Sequence, residues 1–312
     1  MSQQIDQNFV DQFSANVMML AQQKGSRLRP YVRNEMVRAE SAFFDRIGPV
    51  NPVVKAGRHS NTPQLDTPHS RRMLTLTDYE WADLIDDQDK IRSLNDPTNE
   101  YVMAAMWSLG RAIDDEIIEA ALGTAQAGKK GQTAVPFPLG QYFAANNGSA
   151  GINMNVATLR AMNKKFQQAD VPDDQPKYIA VTSSQVESLL ADNTLTSSDF
   201  NTVKALVGGQ VNYFMGFTFI RTERLPVVQA AEGLAATFSS GVVASGSSNT
   251  TGFRKCFAWT QPGLILGVGA DMKAKISERD DKSYSTQAYA MMSVGAVRME
   301  EVQVVAALCN EA

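Results

Sequence analysis

The chain has 312 residues, 44% hydrophobic and 20% charged, the profile of a folded globular protein with room for one large domain or roughly two to three smaller ones. Its 29 basic and 33 acidic side chains leave a net charge of −4, which excludes a bulk electrostatic case for nucleic-acid binding and leaves only local, weak contacts with DNA. No run of ~18 apolar residues occurs, so no membrane-spanning helix is predicted. The start, Met1-Ser2-Gln3-Gln4-Ile5-Asp6-Gln7, lacks the basic and apolar blocks of a secretory signal.

Ile5, Phe9, Phe13, Val17 and Leu20 fall on one stripe of an amphipathic helix that Gly25 and Pro30 break. Such a helix either docks on its own chain or serves as an arm on a neighbouring subunit. Lys24 to Arg38 follows with Arg27, Arg29, Arg33 and Arg38 against Glu35 alone, a solvated basic face or one that meets an acidic partner. From Ile47 to Lys90 the breakers Gly48-Pro49, Asn51-Pro52, Gly57, Thr62-Pro63 and Thr67-Pro68 argue against helix. Arg72 to Trp81 alternates as one strand of a long extended hairpin, with Val53 to Arg58 as the candidate partner. That hairpin carries too few apolar residues to bury itself and needs another surface to lie on.

Asp96-Pro97 reads as the cap and first turn of the strongest helix. Val102, Met106, Leu109, Ile113, Ile117 and Ala121 form its stripe, and Gly123 its stop. About 26 residues make a rod of roughly 40 Å. Asp114, Asp115, Glu116 and Glu119 form an acidic group on it, without a histidine at helical spacing, and are expected on a solvated or inter-subunit face. Short strands are predicted around Ala134 to Phe137 and Gln141 to Phe143. Gly128-Lys129-Lys130-Gly131 lacks the spacing of a phosphate loop.

A further unit begins near Asn155, with a helix marked by Leu159, Met162 and Phe166 that ends by Val171-Pro172. Strand Tyr178 to Val181 leads to Ser184 as cap of a helix over Val186 to Leu190, and Asp199 to Val207 forms another. The run Val207 to Pro226 is expected to end that helix at Gly208-Gly209 and continue as a long apolar strand, with Gly216 permitting close backbone packing. Gln229 to Thr251, dense in Ala, Ser, Gly and Thr, is expected as a surface loop. The tail reads as strands Cys256 to Thr260, Leu264 to Val268, Thr286 to Ser293 and Val297 to Leu308, with polar Ser277 to Ser285 between.

Catalytic equipment is sparse. The two histidines, His59 and His69, lie in the breaker-rich hairpin, and Cys309 has no basic neighbour in sequence. Cys256 and Cys309 sit in apolar strands and are expected as buried free thiols, with no second Cys or His at metal-ligand spacing. No catalytic residue, cofactor or metal is assigned.

Three stretches resemble the major capsid proteins of tailed bacteriophages, which share the Hong Kong 97-type fold. They are Tyr178-Ile179-Ala180-Val181-Thr182-Ser183-Ser184-Gln185 with Leu189-Leu190; Leu206 to Pro226 with Gly208-Gly209, Met215-Gly216-Phe217 and Leu225-Pro226; and Glu278-Arg279-Asp280-Asp281-Lys282-Ser283 followed by Gly295-Ala296-Val297-Arg298. The order of parts agrees along most of the chain. The resemblance implies an α+β fold: an N-terminal arm (residues 1–49), an extended E-loop hairpin (50–92), a peripheral domain with a long spine helix (93–175), an axial domain (176–262) and strands returning to the peripheral domain (263–312).

It further implies self-assembly as hexamers and pentamers into an icosahedral shell around double-stranded DNA, in the virion, after assembly in the host cytoplasm. Portal, scaffolding or decoration proteins would be the other partners. Arg71, Arg72, Asp86, Asp87 and Asp89 are the candidate inter-subunit charge partners. The Lys–Asn crosslink of some members is not carried over, and Lys55 and Lys90 read as surface lysines. An encapsulin-like nanocompartment shell on the same fold, and a soluble enzyme, are the alternatives.

Overall fold

The computed structural model describes residues 20–55, 57–59, 61–62, 64–86, 98–144, 153–172, 174–191, 213–228 and 253–311. Its elements in chain order are strands β1 (Arg33–Met36), β2 (Ser41–Ile47), β3 (His69–Thr75) and β4 (Thr77–Ile85), helix α1 (Thr98–Leu122), strands β5 (Ala125–Ala127), β6 (Thr133–Val135) and β7 (Tyr142–Ala144), helix α2 (Val156–Gln168), strand β8 (Lys177–Val181), helix α3 (Ser183–Ala191), and strands β9 (Tyr213–Phe214), β10 (Phe217–Arg221), β11 (Arg254–Thr260), β12 (Leu264–Arg279), β13 (Ser285–Arg298) and β14 (Val304–Cys309). This is an α+β chain in two compact units. One holds Asp78–Ala112 and Ala270–Ser293 with the chain up to Ser26; the other holds Arg27–Thr77, Ile113–Gly269 and Val294–Ala312.

The larger unit is built on a six-stranded sheet of order β7-β14-β11-β8-β10-β9. Its central strands are apolar on both faces: all six residues of β14 are buried, as are Cys256 to Thr260 of β11. A strand buried on both sides reads as a continuous hydrophobic run, which is why these strands are visible in the sequence. β8 and β10 run parallel, Phe217 opposite Lys177 through Arg221 opposite Val181, while β11 is antiparallel to both β8 and β14.

Helix α2 shows how local sequence sets an element. Asn155 caps it, its side chain accepting from the Thr158 amide at 2.8 Å, and Val156, Leu159, Met162 and Phe166 form the buried stripe. It ends in a Schellman turn. The Val171 amide donates to the Phe166 carbonyl and the Asp170 amide to Gln167, with Asp170 at φ +51° and Pro172 next. Helix α3 begins one residue before the expected cap: the Val186 amide donates to the Thr182 carbonyl, so Thr182 and not Ser184 stands at the N-cap.

Other sequence expectations change among the strands. The partner of the Arg72 strand is β2, not Val53 to Arg58: Ser41 pairs with Thr75 through Ile47 with His69. Ser41–Ile47 holds Phe43, Phe44 and Ile47 in an unbroken strand, whereas Pro52 and Gly57 flank and interrupt the other segment, none of whose described residues lies in a strand. The Arg72-to-Trp81 run is also two strands. β3 ends at Thr75 in the sheet of order β2-β3-β5-β6, and β4 joins the sheet of order β1-β12-β13-β4. Finally, Val297 to Leu308 breaks at a 3-10 turn, Glu301–Gln303, between β13 and β14.

In Val207 to Pro226 the described part begins at Tyr213, and it is a hairpin rather than one long strand. Phe214 faces Phe217 across Met215-Gly216, which have φ of +51° and +86°. Both central residues in the left-handed region define the tight turn that suits strand twist. A Cβ on Gly216 would meet nothing within 4 Å, so this glycine supplies the turn conformation and not close packing. The Ile5 to Val17 stripe, Asp96-Pro97, the Asp199 to Val207 helix, Gly208-Gly209 and the 229–251 loop lie outside the described residues.

In the smaller unit, Ala105, Leu109 and Gly110 are the buried residues among those described in the first half of α1. A Cβ on Gly110 would stand 2.5 Å from the Gly25 Cα, so only glycine lets the two backbones meet. Among the described residues no helix is long and apolar enough to cross a membrane.

Candidate assembly elements

The acidic group on α1 does not behave as one surface. Asp114 is fully buried. Its carboxylate accepts from the Arg27 amide at 3.1 and 3.0 Å and from the Leu28 amide at 3.0 Å. Those amides open the short 3-10 turn Arg29–Tyr31, so a carboxylate from the helix caps another segment of chain. The expectation of a solvated face therefore fails for Asp114. Asp115, on the neighbouring face, is half-exposed and takes the Arg224 guanidinium through both oxygens. That bond raises the Arg224 pKa, its burial opposing.

The C-terminal end of α1 is closed by a fully buried arginine. Arg298, the last residue of β13, donates from Nη1 to the carbonyls of Ala121 at 2.9 Å and Gly123 at 2.8 Å, and from Nη2 to Val135 at 3.2 Å. A cation on the unsatisfied carbonyls of a helix end is matched both as donor and to the helix dipole. Its guanidinium also stacks 5.1 Å from the Phe137 ring centroid.

Arg298 belongs to a group of charges drawn from distant parts of the chain. Arg72 on β3 has 2% of its side chain exposed, donates from Nη2 to Glu301 Oε1 and from Nε to the Met299 carbonyl. Arg46 on β2 also donates to Met299 and stands 3.9 Å from Glu301 Oε2; Arg298 Nε stands 3.9 Å from Glu301 Oε1. Burial lowers the pKa of both Arg72 and Arg298, the Glu301 charge opposing it.

Glu311 forms a further node in the larger unit. It accepts from the Thr182 hydroxyl at 2.5 Å, the Gln185 amide at 3.3 Å and Arg254 at 2.9 Å. Burial pushes its pKa up, and these bonds outweigh that to hold it below the usual glutamate value.

The residues expected at subunit contacts have different fates. Arg71 is part-exposed at 40% and pairs with Asp45 across β2–β3, 5.5 Å from the Phe43 ring centroid. The Arg71 hydrogen bond holds the Asp45 carboxyl below its usual range. Arg72, adjacent in sequence, points the other way and spends its charge inside its own chain. Asp86 is exposed just beyond β4, and Asp87 and Asp89 lie outside the described residues. Cys256 and Cys309 are free and buried. A Cys256 hydrogen bond, with burial, pushes the Cys309 thiol well up, away from the thiolate a nucleophile needs. His59 and His69 are exposed. Among the described residues no three His, Cys, Asp or Glu side chains gather as a metal site.

The fold is that of viral shell subunits. The capsid structure of cyanophage P-SCSP1u superposes with a TM-score of 0.75 at 15% identity, covering 99% of this chain and 96% of that one. The capsid of cyanophage Pam1 gives 0.73 at 13% identity, with 98% and 97% covered. The acid-stable capsid of Helicobacter pylori bacteriophage KHP30 gives 0.70 at 12% identity, again with 98% and 97% covered. No curated protein matches the chain in sequence. The model of the phage capsid protein family matches residues 5–311, and the chain belongs to that family. It is a phage major capsid protein, a structural component of the virion.

Proposed function

We propose that the chain closes as hexamers and pentamers into an icosahedral head around double-stranded DNA, assembled in the host cytoplasm. The proposed layout is an arm over residues 1–49, an overlapping hairpin over 50–92, a peripheral domain over 93–175, an axial domain over 176–262, and returning strands over 263–312. Portal, scaffolding and decoration proteins are the proposed partners besides the subunit itself. With a net charge of −4, contact with DNA is weak and non-specific.

One observation carries the overlap. Residues 47–65 present Ile47 at 69%, Val53 at 56%, Val54 at 91% and Leu65 at 45% exposure, far from the buried state such side chains favour. The Gly48 amide donates to the Pro68 carbonyl at 2.9 Å, closing the base of this loop. A run of exposed aliphatic residues on a pinned base fits burial beneath or over a second copy. Arg71 and Asp86 are the proposed charged contacts of that overlap, with Asp87 and Asp89 in the same acidic run.

The test replaces residues 51–66 by a short Gly-Ser link, which spares the buried Arg72 and Leu74 of β3. The subunit is expected to keep its circular dichroism and lose closed shells in negative-stain images. Normal closed particles from this variant would sink the overlap. Absorbance at the nucleic-acid maximum of wild-type shells separates a packaged genome from a protein-filled compartment.

A further inference from the structure

The charges around Glu301 do not balance. Arg46, Arg72 and Arg298 bring three guanidiniums, and one carboxylate, Glu301, pairs with them among the described residues. Two donors find no acceptor there: Nη1 of Arg72 and Nε of Arg298, both buried. Their side chains are 2% and 0% exposed, so bulk water does not solvate them. A buried N–H without an acceptor costs about 1–3 kcal/mol, and more when the group is charged.

The geometry that gathers them is set by the strands. Phe44 pairs with Arg72 and Arg46 with Ser70 on β2–β3, so Arg46 and Arg72 are diagonal neighbours on one face of the sheet. Arg298 ends β13, and the 3-10 turn that follows brings Glu301 back between them. Arg298's Nη1 is taken by the end of α1 and its Nη2 by the Val135 carbonyl of β6, which leaves its Nε toward Glu301. Arg46 and Glu301, at 20% and 23% exposure, are the part-open side of the group.

We infer that this arginine group is a binding site for one small inorganic oxyanion of the phosphate or sulfate class, taken beside Glu301 by Arg72 Nη1, Arg298 Nε and Arg46. A water molecule satisfies a donor but leaves the excess charge. An oxyanion carries several acceptor oxygens on one centre and so serves single donors from separate arginines at once, which a spherical halide does less well. A DNA phosphate shares the chemistry, but its chain cannot reach side chains this deeply covered.

The experiment titrates inorganic phosphate into the full-length, unassembled protein by calorimetry, with sodium chloride at matched ionic strength as the control. One saturable phosphate site per chain is expected, with no competition from a double-stranded oligonucleotide. Arg46→Gln, at the part-exposed edge, should weaken binding about tenfold through loss of a charge-assisted contact. Glu301→Gln should tighten it by a similar factor, because it removes the resident competing anion. Arg71→Gln, on the opposite face of β3, should leave it unchanged. Heat no greater than chloride gives, or Arg46→Gln and Glu301→Gln moving affinity in the same direction, would overturn the site. Displacement by the oligonucleotide would overturn the small ion as its occupant.

Discussion

Replacing Asp114 by alanine tests whether a buried carboxylate anchors the chain at residues 27–28. In the native protein that carboxylate accepts three hydrogen bonds from two backbone amides, those of Arg27 and Leu28. The side chain has no exposure, so water does not replace the lost acceptor. Leaving each amide without a partner costs about 1–3 kcal/mol, and hydrogen bonds to a charged group lie at the upper end of the range. The two together give a loss of about 3–5 kcal/mol, a large part of the ~5–15 kcal/mol that holds a typical domain. Asp114→Asn keeps an oxygen at the Oδ1 position, which accepts from both amides, but turns an NH2 toward the Arg27 amide and removes the charge, and a smaller loss of about 1–2 kcal/mol is expected. Urea unfolding of the unassembled subunit, followed by circular dichroism and by intrinsic fluorescence, measures both. Coincident transitions from the two probes are required for the free energies to have meaning. A loss below about 1 kcal/mol for Asp114→Ala would refute the anchoring role, because it would place that cost within the range of ordinary surface changes.

Two further outcomes follow from local geometry. Met215→Asn should stabilise by about 0.5–1 kcal/mol, since Met215 holds φ +51° in the tight turn before Gly216 and asparagine tolerates that region better; an unchanged or lower urea midpoint would contradict the turn assignment. Glu311, held below the 4.5 of a free glutamate, contributes stability that is full above about pH 4.5 and drains away as pH falls through its lower folded value. Glu311→Gln should therefore unfold earlier at neutral pH yet show a flatter loss of stability below pH ~4.5, read from denaturation midpoints between pH 3 and 7; parallel curves for the two proteins would disprove the linkage.

Much of the fold was legible because its core strands and helices are continuous in sequence. β11, β14 and α2 announce themselves through unbroken apolar runs or a 3-3-4 spacing of buried residues. Strand pairing was not legible. β1 lies parallel to β12, Arg33 opposite Ile265, and no local rule links positions so far apart. The charged residues were misjudged for a related reason: a charge run reads as solvated unless its helical or strand phase is followed. Asp114 shares the face of Gly110, Ile117 and Ala121, and Arg72 the face of Leu74. Phase alone therefore marks both as buried and in need of partners, though it does not say that the partners are the Arg27 amide or Glu301.

Phase also separates the two kinds of side chain that assembly would use. The charged groups Asp114, Arg72 and Arg298 are turned inward, where backbone groups and Glu301 take most of their hydrogen bonds. The aliphatic residues of the 47–65 loop are turned outward, on a base pinned by Gly48 and Pro68. A freely soluble monomer gains nothing from that exchange, since each exposed aliphatic forgoes about 1.5–3 kcal/mol of burial. A subunit that recovers this energy against a neighbour does gain from it. On the overlap proposed above, outward apolar surface would supply the association energy, and inward charge would limit electrostatic mispairing. On this reasoning the contacts between subunits depend on hydrophobic overlap more than on ion pairs, and high salt should weaken the shell less than removal of the loop does.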